Sequence, residues 1–437
     1  MRSLVALLAL ALAGCAVVDR PIQIEVTSTG TVTSSATTST TGTPITTSVP
    51  DPTTKTQPEV HRVTGVVVDP LGRPVIGAVV TLGEMALETG RSGVFAVETS
   101  ETSPITVSKR GWTEAVAEWR GDEDRLEVVL HPIVARGLRV SFETASDDEA
   151  FAGLLALARG TAVNALVFDT KKEGGTVLYD TNVEEAHLVG AVEPAYDPWE
   201  RVLEAHAEGL YLITRVVTFE DGYWASAHPD DRIASGWVDP TAPGARAYNI
   251  SLAREACEIG FDEIQFDYIR YPSGRAADVS GQRALTQEFR VNAIVSFLAE
   301  ARAVLEPMGC HMSAAVFGIV VSTDIDHALG QRPEEMSPEL HALSPMIYPS
   351  HYSDGWRGFE NPNDYPYEVV AGAIDDGLRR LAPGTLLRPW LQGFWWTTSQ
   401  IRESIMAAEE RRVGWMLWNW NSEFDLEALP TDEEVAR

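Results

Sequence analysis

Cations are scarce in this sequence: 34 Lys and Arg stand against 63 Asp and Glu, a formal charge of −29 over 437 residues. Nucleic-acid binding draws its affinity from clustered cations that release counterions, so that partner is all but excluded. The same imbalance opposes polyanionic substrates unless a local basic patch offsets it, and suits neutral or cationic ones better. Long apolar runs are missing too. The stretch that ends at Ala13 is too short to cross a bilayer. Only three cysteines occur; Cys257 and Cys310 either pair in an oxidising compartment or lie buried as small apolar side chains. There is no nucleophile elbow, P-loop, His-Glu-x-x-His or Cys-x-x-Cys, which disfavours serine hydrolase, phosphotransferase and zinc peptidase chemistry. Asp324, Asp326 and His327 cluster without a second group at metal-ligand spacing and read as an acidic loop. Neither metal nor cofactor is expected.

What is present divides the chain into four parts. Residues 1–14 have a charged Arg2, an apolar middle and small residues at the end, the pattern of an export signal. Leu12-Ala13-Gly14-Cys15 resembles the bacterial lipoprotein lipobox, which implies cleavage before Cys15, acylation of its thiol and a lipid anchor on the extracytoplasmic side of the membrane. In residues 15–59, the segment from Thr27 to Gln57 has almost nothing apolar to bury, and 19 of its 31 residues are Ser or Thr. Such a segment cannot form a core and reads as a stalk.

Residues 60–133 carry short β-type runs at 63–68, 78–82, 94–97, 105–108 and 126–130, separated by Gly, Pro and Asp, which predicts a small β-sandwich. The string from Val63 through Asp69, Gly72, Pro74, Gly77 and Ala78, with Ser92-Gly93-Val-Phe95 and Gly111-Trp112, resembles the carboxypeptidase regulatory-like domain. That resemblance implies a non-catalytic accessory module. Trp112 and Trp119 are either packing residues or a sugar-stacking pair.

From residue 137 to 437 short apolar strands alternate with amphipathic helical stretches. Eight strands are expected, at 138–142, 165–170, 210–218, 263–270, 311–317, 343–348, 387–394 and 414–420. The main helical stretches fall at 198–208, 245–259, 286–305, 367–381 and 399–411. The fold class is therefore α/β, a (β/α)8 TIM barrel preceded by the small all-β domain. A doubly wound sheet would need an open edge and lacks a Gly-rich nucleotide loop here.

Barrel sites form where the strands end. In Phe261-Asp-Glu263-Ile-Gln265-Phe-Asp267-Tyr268-Ile-Arg270, period-2 alternation puts Glu263, Gln265 and Asp267 on the inward face and Ile264, Phe266 and Tyr268 on the other. Asp267 is placed as a nucleophile or stabiliser of an oxocarbenium-like centre, or as a structural carboxylate paired with Arg270 or Arg215. Asp169, the candidate second carboxylate, is expected to share a strand-end face with the cation Lys171. Arg215, inside an apolar strand, requires a carboxylate such as Asp169 or Asp267. Lys171, Arg215, Tyr348, His351, Gln392 and Asn419 are candidates for orienting hydroxyls, and Trp390 and Trp418 for stacking on sugar rings. Seven of the twelve tryptophans fall between Trp356 and Trp420, and many of these are expected simply to pack.

Six strings in order, Asn164-Ala-Leu-Val-Phe-Asp169-Thr-Lys171, Trp237-Val-Asp239-Pro240-Thr241 with Tyr248-Asn249-Ile250, the Asp267 string, Met346 to Tyr352, Leu387 to Gln392 and Gly414 to Asn419, resemble a bacterial glycosyl hydrolase barrel family distantly similar to the alpha-amylase superfamily. The resemblance implies a polysaccharide or oligosaccharide partner and hydrolysis without cofactor; no protein partner is inferred. Two departures stand out. Ala315 and Gly393 occupy positions where the family pattern leads one to expect carboxylates, and a glycosidase needs an acid as well as a nucleophile or base. Two readings follow: a glycoside hydrolase acting through Asp267 and Asp169, and a non-catalytic glycan-binding envelope lipoprotein with a degenerate barrel.

Overall fold

Two strand-rich segments form separate sheet systems, each with its own core. The computed structural model describes residues 61–99, 104–119 and 125–436. The expected export signal at 1–14, the expected lipidation site Cys15 and the expected stalk at 15–59 lie outside the described residues.

In the amino-terminal segment, His61–Val68 pairs antiparallel with Val94–Thr99 and parallel with Leu126–Val129. A second sheet orders Met85–Glu88, Val79–Leu82, Ile105–Ser108 and Ala115–Ala117. Along Val94–Thr99 exposed and buried residues alternate strictly, as they must when one face of a sheet is wet. Val63, Val67, Val80, Phe95, Ile105, Val107 and Val128 from both sheets form one apolar core. Trp119 is buried in it, and Trp112 stands edge-on to His311 of the barrel at 5.4 Å. Trp119 is a packing residue, and Trp112 lies partly buried against the same core.

The second segment closes into a barrel of eight parallel strands: Arg136–Val140, Ala165–Lys171, Tyr211–Val217, Glu263–Asp267, His311–Phe317, Ala342–Ile347, the interrupted strand Leu386–Leu387 with Trp390–Gln392, and Trp415–Trp418. The last strand pairs with the first, so no edge is left open. Pro389, which has no N–H to give, lies at the interruption. The second and third strands are buried at every residue, the mark of strands covered on both faces. Helices Pro198–Ala207, Pro243–Ile259, Gln287–Leu305, Pro366–Leu378 and Thr398–Glu409 form much of the outer layer. Asp197 and Thr286 cap their helices through side-chain acceptors, and Thr397 with Gln400 forms a capping box. A disulfide joins Cys257 in the Pro243–Ile259 helix to Cys310, with Cα atoms 6.2 Å apart.

The sandwich caps the end of the barrel where the strands begin. Arg110 pairs with Asp262 at 3.1 Å and Lys109 Nζ donates to the Gly309 carbonyl at 3.1 Å. Gly111 has φ +79°, and a Cβ there would lie 2.4 Å from the Tyr211 ring, so only glycine fits this contact. The opposite end, where the strands finish, is left open as the mouth.

Two local breaks in strand geometry decide which side chains reach that mouth. The second strand slips register between Asp169 and Lys171, and the slip reverses the alternation beyond it. The fourth strand ends at Asp267, and Tyr268 turns into the left-handed region with φ 49°.

Candidate active site

Arg215 projects from the third strand into the barrel mouth, is only 2% exposed, and meets three carboxylates. Its Nε donates to Asp267 at 2.7 Å, one terminal nitrogen to Asp169 at 3.1 Å, and the other to Glu173. Arg139, from the first strand, donates to the second Asp169 oxygen at 2.6 Å, and the Tyr268 N–H donates to the second Asp267 oxygen at 2.6 Å. Buried ions are tolerated when opposite charges and hydrogen bonds compensate them, and each carboxylate of this cluster has such a partner. Burial opposes the Arg215 charge, but Glu173, Asp267 and Asp169 outweigh it and hold the guanidinium well above its ordinary range. Burial also opposes ionisation of Glu173, yet Arg215, a backbone hydrogen bond and Arg139 bring its carboxyl down to about 2. The Glu173 side chain is 41% exposed, against 1% for Asp169 and 5% for Asp267. Glu173 is thus the member of the cluster open to solvent.

Beneath this cluster the inward face of the fourth strand continues as a polar ladder. Gln265 accepts from Trp390 Nε1 at 2.7 Å and donates to Ser313 and Ser344 at 3.2 and 3.3 Å. Glu263, one step lower, takes the Tyr211 hydroxyl at 3.0 Å and pairs with Arg388. The ladder fixes the Trp390 ring, which stands edge-on to Trp418 at 5.3 Å.

A cavity of about 490 Å³ opens above, with Glu173, Arg215, Asp267 and Arg270 as its charged wall and Tyr268, Phe317, Tyr348, Trp390, Phe394, Trp418 and Trp420 among its aromatic ones. Size and lining suit an oligosaccharide segment: flat apolar faces with a few convergent polar groups. Trp395 and Trp420 are 73% and 49% exposed and pack together at 5.4 Å, giving an aromatic rim. Glu220, just beyond the third strand, stands behind the wall. Burial pushes its carboxyl up, with the Gly174 N–H and Arg270 opposing and Glu173 adding.

Of the residues singled out in the sequence, Asp267, Arg215, Tyr348, His351, Trp390 and Trp418 line the cavity. Burial lowers the His351 imidazole and raises the Tyr348 phenol well above its ordinary range, the latter with Asp267 adding. Asp169 joins the cluster from behind, held between Arg139 and Arg215 and absent from the cavity wall. Lys171 does not share its face. The register slip turns Lys171 outward, where it pairs with Asp221 at 2.7 Å and donates to Asn249 at 2.8 Å. Gln392 and Asn419 shape loops: Gln392 accepts from Ser350 Oγ at 2.8 Å, and Asn419 donates to the Gly393 carbonyl at 2.9 Å. Asp326 is bonded to Arg290 at 2.7 Å and holds its own loop.

Three wall residues escaped the sequence reading. Glu173 lies past the strand end, where the slip removes any periodicity. Period-2 alternation puts Tyr268 on the outer face, but its left-handed backbone swings the ring into the cavity. The apolar pattern extends the strand to Arg270, whereas the strand stops three residues earlier. At the two missing acids, Ala315 is fully buried among Val167, Ile213, Tyr348 and Met416, and a Cβ at Gly393 would lie 2.7 Å from the Trp418 carbonyl oxygen.

The fold recurs in solved structures. The glycoside hydrolase domain of PgaB (BpsB) from Bordetella bronchiseptica covers 67% of this chain and 95% of its own, with 12% identity and TM-score 0.50. A hypothetical protein from Ruminiclostridium thermocellum is 31% identical over 40% of this chain and 96% of its own, with TM-score 0.36. The beta-amylase catalytic domain from Paenibacillus polymyxa covers 69% and 96%, at 13% identity and TM-score 0.46. No curated protein matches the sequence. The model of one family matches residues 137–424, which include every barrel strand but the first residue of the first one. The chain belongs to that family, described as a putative glycosyl hydrolase domain.

Proposed function

We propose that the barrel mouth binds a polysaccharide or oligosaccharide and hydrolyses its glycosidic bond, with Asp267 as nucleophile or electrostatic stabiliser and Glu173, rather than Asp169, as the second carboxylate. One observation carries this reading. Asp267 ends the fourth strand, Glu173 lies in the loop after the second, and the two converge on the same guanidinium at the wall of an aromatic cavity. Carboxylates sharing one guanidinium are held close, nearer the ~5 Å spacing of retaining pairs than the ~6.5–9.5 Å that leaves room for an inverting water. In this scheme Asp267 faces the anomeric carbon from beneath, and the more exposed Glu173 meets the leaving oxygen. Because Arg215 holds Glu173 ionised near neutrality, proton donation from Glu173 belongs to acidic conditions. Tyr348 and His351 orient hydroxyls, and Trp390 and Trp418 support the ring.

A second reading is favoured by Ala315 and Gly393. With no carboxylate at either position and Glu173 tied to Arg215, the barrel would hold a glycan without cleaving it. Incubating the full chain with a panel of bacterial and environmental polysaccharides separates the two. New reducing ends support the hydrolase, whereas retention of glycan with no product over long incubation supports the binder.

The setting belongs to the same proposal. The residues before Cys15 direct export, Cys15 carries a lipid anchor, and the Ser/Thr-rich stalk and a carboxypeptidase regulatory-like sandwich hold the barrel off the membrane. The Cys257–Cys310 disulfide supports an oxidising compartment. Among the described residues no helix is long and apolar enough to cross a membrane. Incorporation of labelled palmitate into the chain, lost in Cys15→Ala, tests the anchor.

A further inference from the structure

Arg270 lies on the cavity wall and is 5% exposed, yet among the described residues no carboxylate oxygen comes within 4.0 Å of it. That sets it apart. The six other buried arginines, Arg139, Arg201, Arg215, Arg246, Arg290 and Arg388, each have such a partner. Burial lowers the Arg270 guanidinium to about 10, with Tyr268, Asp267 and Glu220 opposing, so it stays charged at neutral pH. The rings of Trp237, Tyr268 and Phe317 lie 4.7, 4.8 and 4.5 Å from its centre and offset part of the desolvation. One terminal nitrogen donates to the Tyr271 carbonyl at 3.1 Å, which fixes the plane of the group. Its Nε is buried with no hydrogen-bond partner, and Nη2 has none either. The two acidic neighbours are already engaged: Asp267 by Arg215 and the Tyr268 N–H, Glu220 by the Gly174 N–H.

An uncompensated buried cation is costly and persists where something outside the resting fold completes it. The unused edge, Nε with Nη2, presents two parallel N–H donors, the fork that fits a planar carboxylate bidentately. Arg270 lines the same cavity as Asp267. We propose that Arg270 selects the substrate by binding the carboxylate of a uronic-acid unit, so that the glycan held in the mouth is an acidic one. This rests on the glycan reading above and adds the substrate class. The chain's net charge of −29 does not forbid it. Exposed charges are screened beyond about 8 Å at physiological ionic strength, and the local cation then decides.

The test is calorimetric binding to the full chain of three oligosaccharides with one backbone: glucuronate-containing, carboxyl-reduced and O-sulfated. The glucuronate form is expected to bind about 10- to 100-fold more tightly than the carboxyl-reduced form, the range of one charged bidentate pair. Arg270→Gln should abolish that ratio, and Arg270→Lys, which keeps the charge but not the fork, should restore part of it. A merely structural role would weaken both ligands together and leave the ratio unchanged, so a ratio kept in Arg270→Gln overturns the proposal. Equal affinity for the acidic and reduced forms in the parent overturns it without any variant, even if none folds. Tighter binding of the O-sulfated form overturns the carboxylate assignment. Binding of none of the three removes the glycan reading itself, and this inference with it.

Discussion

Arg215 Nε donates to Asp267 at 2.7 Å, and the same guanidinium also holds Asp169 and Glu173. One buried cation therefore sets the position of every carboxylate in the mouth cluster. Removing it leaves two nearly inaccessible anions with only Arg139 and a backbone N–H for partners. Arg215→Met is expected to cost about 3–5 kcal/mol, the range for breaking one side of a buried ion pair. Urea unfolding of parent and variant checks it, and a loss under 1 kcal/mol would contradict this picture of the cluster.

The proton inventory of the mouth gives a pH prediction. Glu173 is held down to about 2, so at neutral pH it is ionised and its protonated fraction grows about tenfold for each unit the pH falls. If it delivers the proton, kcat/KM rises by that factor per unit from pH 7 to pH 4. A profile level across this window would contradict Glu173 as the proton donor. The stability term from Glu173 has the sign of any depressed acid: fully present above about 4.5, the ordinary glutamate value, and lost as pH falls toward 2.

Restoring an acid at position 393 is expected to fail. The Cβ of Gly393→Asp would lie 2.7 Å from the Trp418 carbonyl oxygen and 3.0 Å from Leu417. Backbone must move, at a cost of about 1–3 kcal/mol typical of overpacking. Thermal melting should show the loss with no gain in sugar release.

The disulfide spans 53 residues of sequence. Loop-closure entropy assigns such a crosslink about 4 kcal/mol. Cys257→Ser with Cys310→Ser should lower unfolding stability by that order, measured by denaturant titration with and without reductant.

Much of this architecture was legible because barrel strands are apolar runs of fixed length with helices between them. All eight strands, and the inward set Glu263, Gln265 and Asp267, follow from periodicity. The demand that Arg215 find a carboxylate was legible too, since burial of an unpaired charge is prohibitive. What periodicity could not carry lies where strands end. A register slip after Asp169 sent Lys171 outward. A left-handed Tyr268 brought its ring, and the chain leading to Arg270, into the mouth. No residue pattern marks either break: tyrosine gains no steric relief at positive φ, so the tertiary setting imposes it. Trp395, also left-handed at φ 58°, stands at the exposed rim for a reason equally invisible in composition.

The most direct measurement is reducing-sugar release at pH 4 to 5 by the full chain, by Asp267→Asn and by Glu173→Gln, on whichever polysaccharide the parent retains. Hydrolysis by the parent with a loss of about a thousandfold or more in each variant is the predicted result. Product release that survives Asp267→Asn within twofold would contradict it.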